Sequence, residues 1–85
     1  MTILGKKYTI SYVKSNDING SFGAAKRSDA LIRINSEVSQ EQQEETLLHE
    51  VMHIVDEELL LDLKEDQIHR LAVGVYSAGY RKVKE

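Results

Sequence analysis

Residues 46–58 read TLLHEVMHIVDEE and contain His49-Glu50-Val51-Met52-His53. Whether this stretch is a helix decides most of the fold. Leu47, Leu48, Val51, Met52, Val55 and Leu59 recur at helical spacing and make one broad apolar face. Upstream, Ser39 with Gln42 three residues on is a capping-box pattern. Glu41, Glu44 and Glu45 suit the positive end of a helix dipole. The pattern predicts a helix that starts after Ser39 and runs to about Leu59. On such a helix, side chains at i and i+4 lie one above the other, so His49 and His53 share a face.

That geometry gives the stretch its chemistry. Two imidazoles one turn apart can grip one Zn²⁺ from the same side, and zinc lowers the pKa of a bound water to about 7. Glu50 follows the first of them and can lean toward the open side of the metal. There it would act as general base and later hand the proton to a leaving group. The plain alternative is two half-buried histidines beside a surface glutamate on an ordinary helix. Asp56, three residues past His53, is placed to accept the other ring N–H of that histidine; its plain alternative is a surface acid in an acidic stretch.

A catalytic zinc takes a third protein ligand and keeps a fourth position open. Residues 63–72, LKEDQIHRLA, supply candidates. Asp62 with Glu65 resembles a second capping-box start, and Ile68, Leu71, Ala72 and Val75 give a second helix its core face. Glu65 is the first candidate, at the core-facing edge of that helix start. His69 is the second; Asp66 and Gln67 are weaker. Glu65 has an alternative as a capping acid, and His69 as a surface histidine. Tyr76 or Tyr80 could donate to an oxyanion, or simply pack the second helix against the sheet. Met52 reads as core.

Ahead of the helices the chain reads as strands. "TIL" before Gly5 and "KYTISYV" after Lys6 suggest a tight hairpin reaching Val13, with Tyr8, Ile10 and Tyr12 on one face. Residues 22–35 hold one or two further strands. The surest is residues 30–35, where Leu31 and Arg33 oppose Ile32 and Ile34, and whose edge could bind an extended peptide. Asn19-Gly20 and Ser28-Asp29 are turn candidates. Strands followed by two helices predict an α+β domain: a small antiparallel sheet of about three strands in residues 1–36, then an active-site helix and a ligand helix in residues 37–85.

Composition narrows the chemistry. The 85 residues make one domain with a small core. There is no cysteine, so disulfides and thiolate zinc sites are excluded. The net charge of −3 is uneven: residues 1–36 carry +4, residues 37–69 carry −10 and residues 70–85 carry +3. The acidic block is a solvated helix face or a field that favours a cation. The basic first third is too dilute for a nucleic-acid surface. With neither a signal-peptide pattern nor an apolar run of membrane-span length, the expectation is a cytoplasmic protein with no membrane or nucleic-acid partner. The oligomeric state is left open.

The segment EETLLHEVMHIVDEELLLDLKEDQIHRLAVGVY, residues 44–76, resembles the small zincin-like metallopeptidase proteins of phages, prophages and Gram-positive bacteria, with a distant likeness to the ImmA/IrrE group. T-L-x-H-E-x-x-H-x-x-D is the specific part. "ILGKKYTISYV" looks like that family's opening hairpin, and "ALIRIN" like its strand before the active-site helix. The likeness implies a three-strand sheet, zinc on His49 and His53, and Glu50 as general base. A gluzincin-style E-x-x-x-D alignment puts the third ligand at Glu65, with His69 where an acid is expected. An ImmA-like alignment puts it at Gln67, a poor zinc ligand. The preferred expectation is a zinc metallopeptidase with ligands His49, His53 and Glu65, acting on a protein or peptide substrate. Its rival is a zincin-like binding or regulatory module, with or without metal, that catalyses nothing.

Overall fold

The computed structural model describes residues 1–79, so Tyr80 lies outside the described residues. The opening hairpin is shorter than its alternation predicts. Strands β1 (Thr2–Ile3) and β2 (Lys6–Lys7) pair antiparallel around Leu4 and Gly5, both at positive φ. The ribbon stops at Tyr8. The Tyr8 N–H donates to the Met1 carbonyl at 2.7 Å, and its ring is buried in the core.

The following strand, β3 (Thr9–Val13), joins a second sheet with β4 (Gly23–Lys26) and β5 (Leu31–Asn35), in the order β3-β5-β4. This corrects the antiparallel expectation, because the sheet is mixed. β4 and β5 are antiparallel, while β3 and β5 run parallel in the register Ile10 to Ile32 and Tyr12 to Ile34. A parallel pair needs a long connection. Residues 14–30 supply it, through a 3₁₀ turn at Ser15–Ile18, β4, and a second 3₁₀ turn at Arg27–Asp29. A further expectation changes with this one. β5 is the central strand, so it has no free edge for a peptide; on its flank the edge belongs to β4.

Alternation sets the buried face of the sheet. Ile32 and Ile34 are fully buried and, with Ile10, Ala25, Ile3 and Tyr8, form the core against the first helix. That helix, α1 (Gln40–Leu59), begins where the capping pattern predicts, with the Ser39 hydroxyl oxygen accepting from the Gln42 N–H. Its apolar face is divided between two partners. Leu47, Val51, Ile54 and Val55 pack on the sheet. Leu48 and Met52 meet Ala72, Val75 and Tyr76 of α2 (Glu65–Ser77). Leu59, counted with the apolar face, is exposed at the helix end, and Leu71 is exposed on α2.

Gly23 sets how close β4 comes to α1. A β-carbon there would lie 2.6 Å from Thr46 Cγ2 and 2.9 Å from the Arg33 carbonyl oxygen. Thr46 is buried and Arg33 offers backbone, so neither yields easily. Gly23→Ala is therefore expected to destabilise the fold by about 1–3 kcal/mol, the usual range for overpacking. Urea unfolding checks this; an unchanged midpoint would mean that β4 has room to move. Among the described residues no helix is long and apolar enough to cross a membrane.

Candidate metal centre

The i, i+4 spacing brings His49 and His53 together on α1, with ring centroids 4.9 Å apart and Nε2 atoms 3.1 Å apart. Glu65, the first residue of α2, completes the group. One carboxylate oxygen lies 2.8 Å from His49 Nε2 and the other 2.8 Å from His53 Nε2. These three are the residues, among those described, whose donor atoms converge closely enough to hold a metal ion.

The donor chemistry fits such an ion. Each neutral imidazole Nε2 can offer a lone pair, and a carboxylate only accepts. Lone pairs converging from three sides repel unless something electropositive sits among them. Protons can fill that role in part, and a cation fills it fully. A tetrahedral ion with bonds of about 2.0–2.2 Å separates its ligand atoms by roughly 3.3–3.6 Å, so opening the two carboxylate contacts by about 0.5–0.8 Å would admit one. Glu65 has room for that adjustment, since its side chain is 67% exposed.

The group stands at the wall of an open cleft of about 370 Å³. Gln42, Glu45, Thr46, His49, Glu50 and His53 of α1 form one wall, Glu65 and His69 of α2 another, and Phe22 with Gly23 the rim at the start of β4. Glu50 faces the cleft without joining the converging set. Burial pushes its pKa above the ordinary carboxylate value; electrostatic interaction with His53 and His49 draws it partly back, and Glu65 adds to the rise. For Glu65 the largest single effect, loss of solvation, also works upward. Hydrogen bonds from His49 and His53, with the electrostatic interaction of both rings, together outweigh it and hold the carboxyl below its usual range.

The other candidates fall elsewhere. α2 starts at Glu65 and not at Asp62, because the Gln67 side chain accepts from the Lys64 N–H at 2.8 Å and caps the helix there. That bond occupies Gln67, the ImmA-like ligand position. Asp66 pairs with Arg70 at 3.0 Å. His69 lines the cleft, its ring centroid 5.7 Å from that of His49, outside the converging set. The Tyr76 hydroxyl donates to Glu44 at 3.0 Å and its ring packs by Leu48, so it ties α2 to α1 and not, as expected, to the sheet. Asp56 accepts from the Leu63 N–H at 2.8 Å, a bond to the interhelix loop in place of the expected one to His53.

The sequence reading missed the rest of the cleft. Gln42, Glu45 and Thr46 were legible in principle, since Glu45 and Thr46 precede His49 by four and three residues and Gln42 precedes it by seven, all on the same helical stripe. Phe22 and Gly23 carry no local signal, because the sheet brings them in from far along the chain. No family model, curated protein or solved structure matches the chain.

Proposed function

We propose that this chain is a minimal zinc-dependent peptidase that hydrolyses peptide bonds in exposed or unfolded protein segments. One observation carries the proposal. His49, His53 and Glu65 converge within 3.1 Å of one another on the wall of an open cleft that Glu50 also lines. Two imidazoles and one carboxylate are one of the ligand sets of catalytic zinc sites, which keep a fourth position open. Imidazole donors favour zinc over magnesium or calcium, which take oxygen ligands.

Zinc held by these three residues would supply Lewis-acid chemistry, polarising the scissile carbonyl and acidifying a water. Glu50 then takes the proton from the attacking water on a carboxylate oxygen and delivers it to the leaving amide nitrogen. Glu50 stands on the cleft wall beside the ligand group, within reach of both transfers. His69 on the α2 wall is an N–H donor available to a substrate carbonyl.

A peptide fits the surroundings of the cleft. Gly23 belongs both to the rim and to β4, an edge strand, and an extended segment can add to such an edge through main-chain hydrogen bonds. Phe22, half exposed at the rim, offers an apolar contact. The resemblance of T-L-x-H-E-x-x-H-x-x-D to zincin-like phage proteins points the same way. A second reading, a module that binds metal or protein without hydrolysis, draws on the exposure of Glu65.

The deciding experiment incubates the zinc-loaded protein with a denatured protein and with fluorogenic peptides. Cleavage that stops with a chelator and returns with zinc is the expected result. One equivalent of bound zinc without cleavage would favour the binding module. Failure to take up zinc would remove both metal readings.

A further inference from the structure

We infer that Asp56 is a positioning residue for the third ligand: it fixes the interhelix loop that delivers Glu65 to His49 and His53. The inference rests on the metal-centre reading and deepens it. α1 ends at Leu59 and α2 begins at Glu65, so residues 60–64 must turn the chain back within a very short span. The turn uses conformations that side chains disfavour, with Leu60 at φ 53° and Asp62 at φ 58°. Such residues persist where their surroundings fix them.

Asp56 does much of that fixing. Its backbone carbonyl accepts from the Leu60 N–H and, at 3.0 Å, from the Leu61 N–H. Its carboxylate Oδ1 accepts from the Leu63 N–H at 2.8 Å. One residue thus ties three of the loop's N–H groups to the last turns of α1, less than one turn past His53. Leu63 stands two residues before Glu65, and the Lys64 N–H is held by Gln67. The chain is therefore anchored on both sides of its entry into α2. Leu60 and Leu61 themselves are exposed and bring little packing to hold the loop. Metal–ligand distances tolerate errors of only about 0.2 Å, so the anchor reaches the site through the Glu65 backbone, without any contact to the metal.

The test is zinc affinity, measured by competition with a chromophoric chelator. Removing an outer partner of a metal ligand typically lowers affinity by about 10–100-fold, and Asp56→Ala is expected to do so. Asp56→Asn keeps an oxygen acceptor at the same reach and is expected to recover most of the loss. Cobalt absorption should shift in Asp56→Ala and stay near wild type in Asp56→Asn, which a general loss of stability would not produce. In a Glu65→Ala background the Asp56→Ala change should cost nothing further, because it acts through Glu65.

Wild-type affinity in Asp56→Ala would overturn the inference. An equal loss with and without Glu65 would also overturn it, by showing a diffuse effect on the fold. Where Asp56→Ala does not fold, Asp56→Glu keeps the charge but displaces the acceptor by one methylene. It is expected to lower zinc affinity, and wild-type affinity there would equally sink the idea. A wild-type protein that takes up no zinc is a different result, since it removes the metal centre itself.

Discussion

Glu50→Gln is expected to lower peptide hydrolysis by about 10²–10⁴-fold, the usual contribution of a positioned general base, while zinc stays bound. The two halves of that result come from different features of the site. Glu50 lines the cleft, yet the converging donor atoms belong to His49, His53 and Glu65. Glutamine has nearly the same volume and keeps an oxygen on the cleft side, so the ligand triad is left standing. What disappears is a group that can accept a proton from water and release it to nitrogen. The measurements are kcat/KM on a cleaved peptide and zinc content by elemental analysis, made on the same preparation. Activity within a few-fold of wild type would eliminate Glu50 as the base. Loss of zinc together with activity would show that Glu50 takes part in holding the metal.

Parts of the site that depend on local periodicity were legible in the sequence. The i, i+4 spacing places His49 and His53 on one face whatever the sheet does, and the Ser39 cap sets where α1 begins. Glu65 was legible for a related reason: a second helix of opposite direction, joined by a short loop, brings its first turn back toward the end of the first. Features set by distant pairing were not. Nothing local in "KYTISYV" separates a hairpin arm from a strand that leaves the ribbon at Tyr8 to run parallel with β5. The same pairing decides that β4 is an edge strand and that Phe22 and Gly23 reach the cleft. Asp56 departs from expectation for a third reason. Its helical position allows a bond to His53, but the loop offers an unsatisfied N–H at Leu63, and that bond is the one formed. Tyr76 follows the same logic, since Glu44 on α1 offers its hydroxyl an acceptor at the helix interface.

Zinc is expected to raise the thermal midpoint of the wild-type protein by roughly 10–20 °C at a free concentration near 100 times Kd, and His49→Ala is expected to abolish the rise. The size comes from linkage. A ligand bound only by the folded state contributes about 2.7 kcal/mol at that concentration, and each kcal/mol moves the midpoint of a domain this small by about 4–8 °C. The reason this chain should respond strongly is where the ligands stand. His49 and His53 belong to α1 and Glu65 to α2, so a metal closes a contact between two helices that otherwise meet through the small cluster around Leu48, Ala72 and Tyr76 and the Tyr76–Glu44 hydrogen bond. Without metal, the bonds from Glu65 to the imidazoles stand in solvent and hold the helices weakly. Truncating His49 removes the ligand that touches both His53 and Glu65, so what remains cannot grip an ion from three sides. Magnesium is the control: at the same concentration it should leave the midpoint unmoved, because it prefers oxygen ligands and sheds its waters reluctantly. An equal rise in His49→Ala would place the zinc elsewhere, on the acidic surface of residues 37–69 and its charge of −10, and would remove the physical basis for a catalytic ion at this cleft.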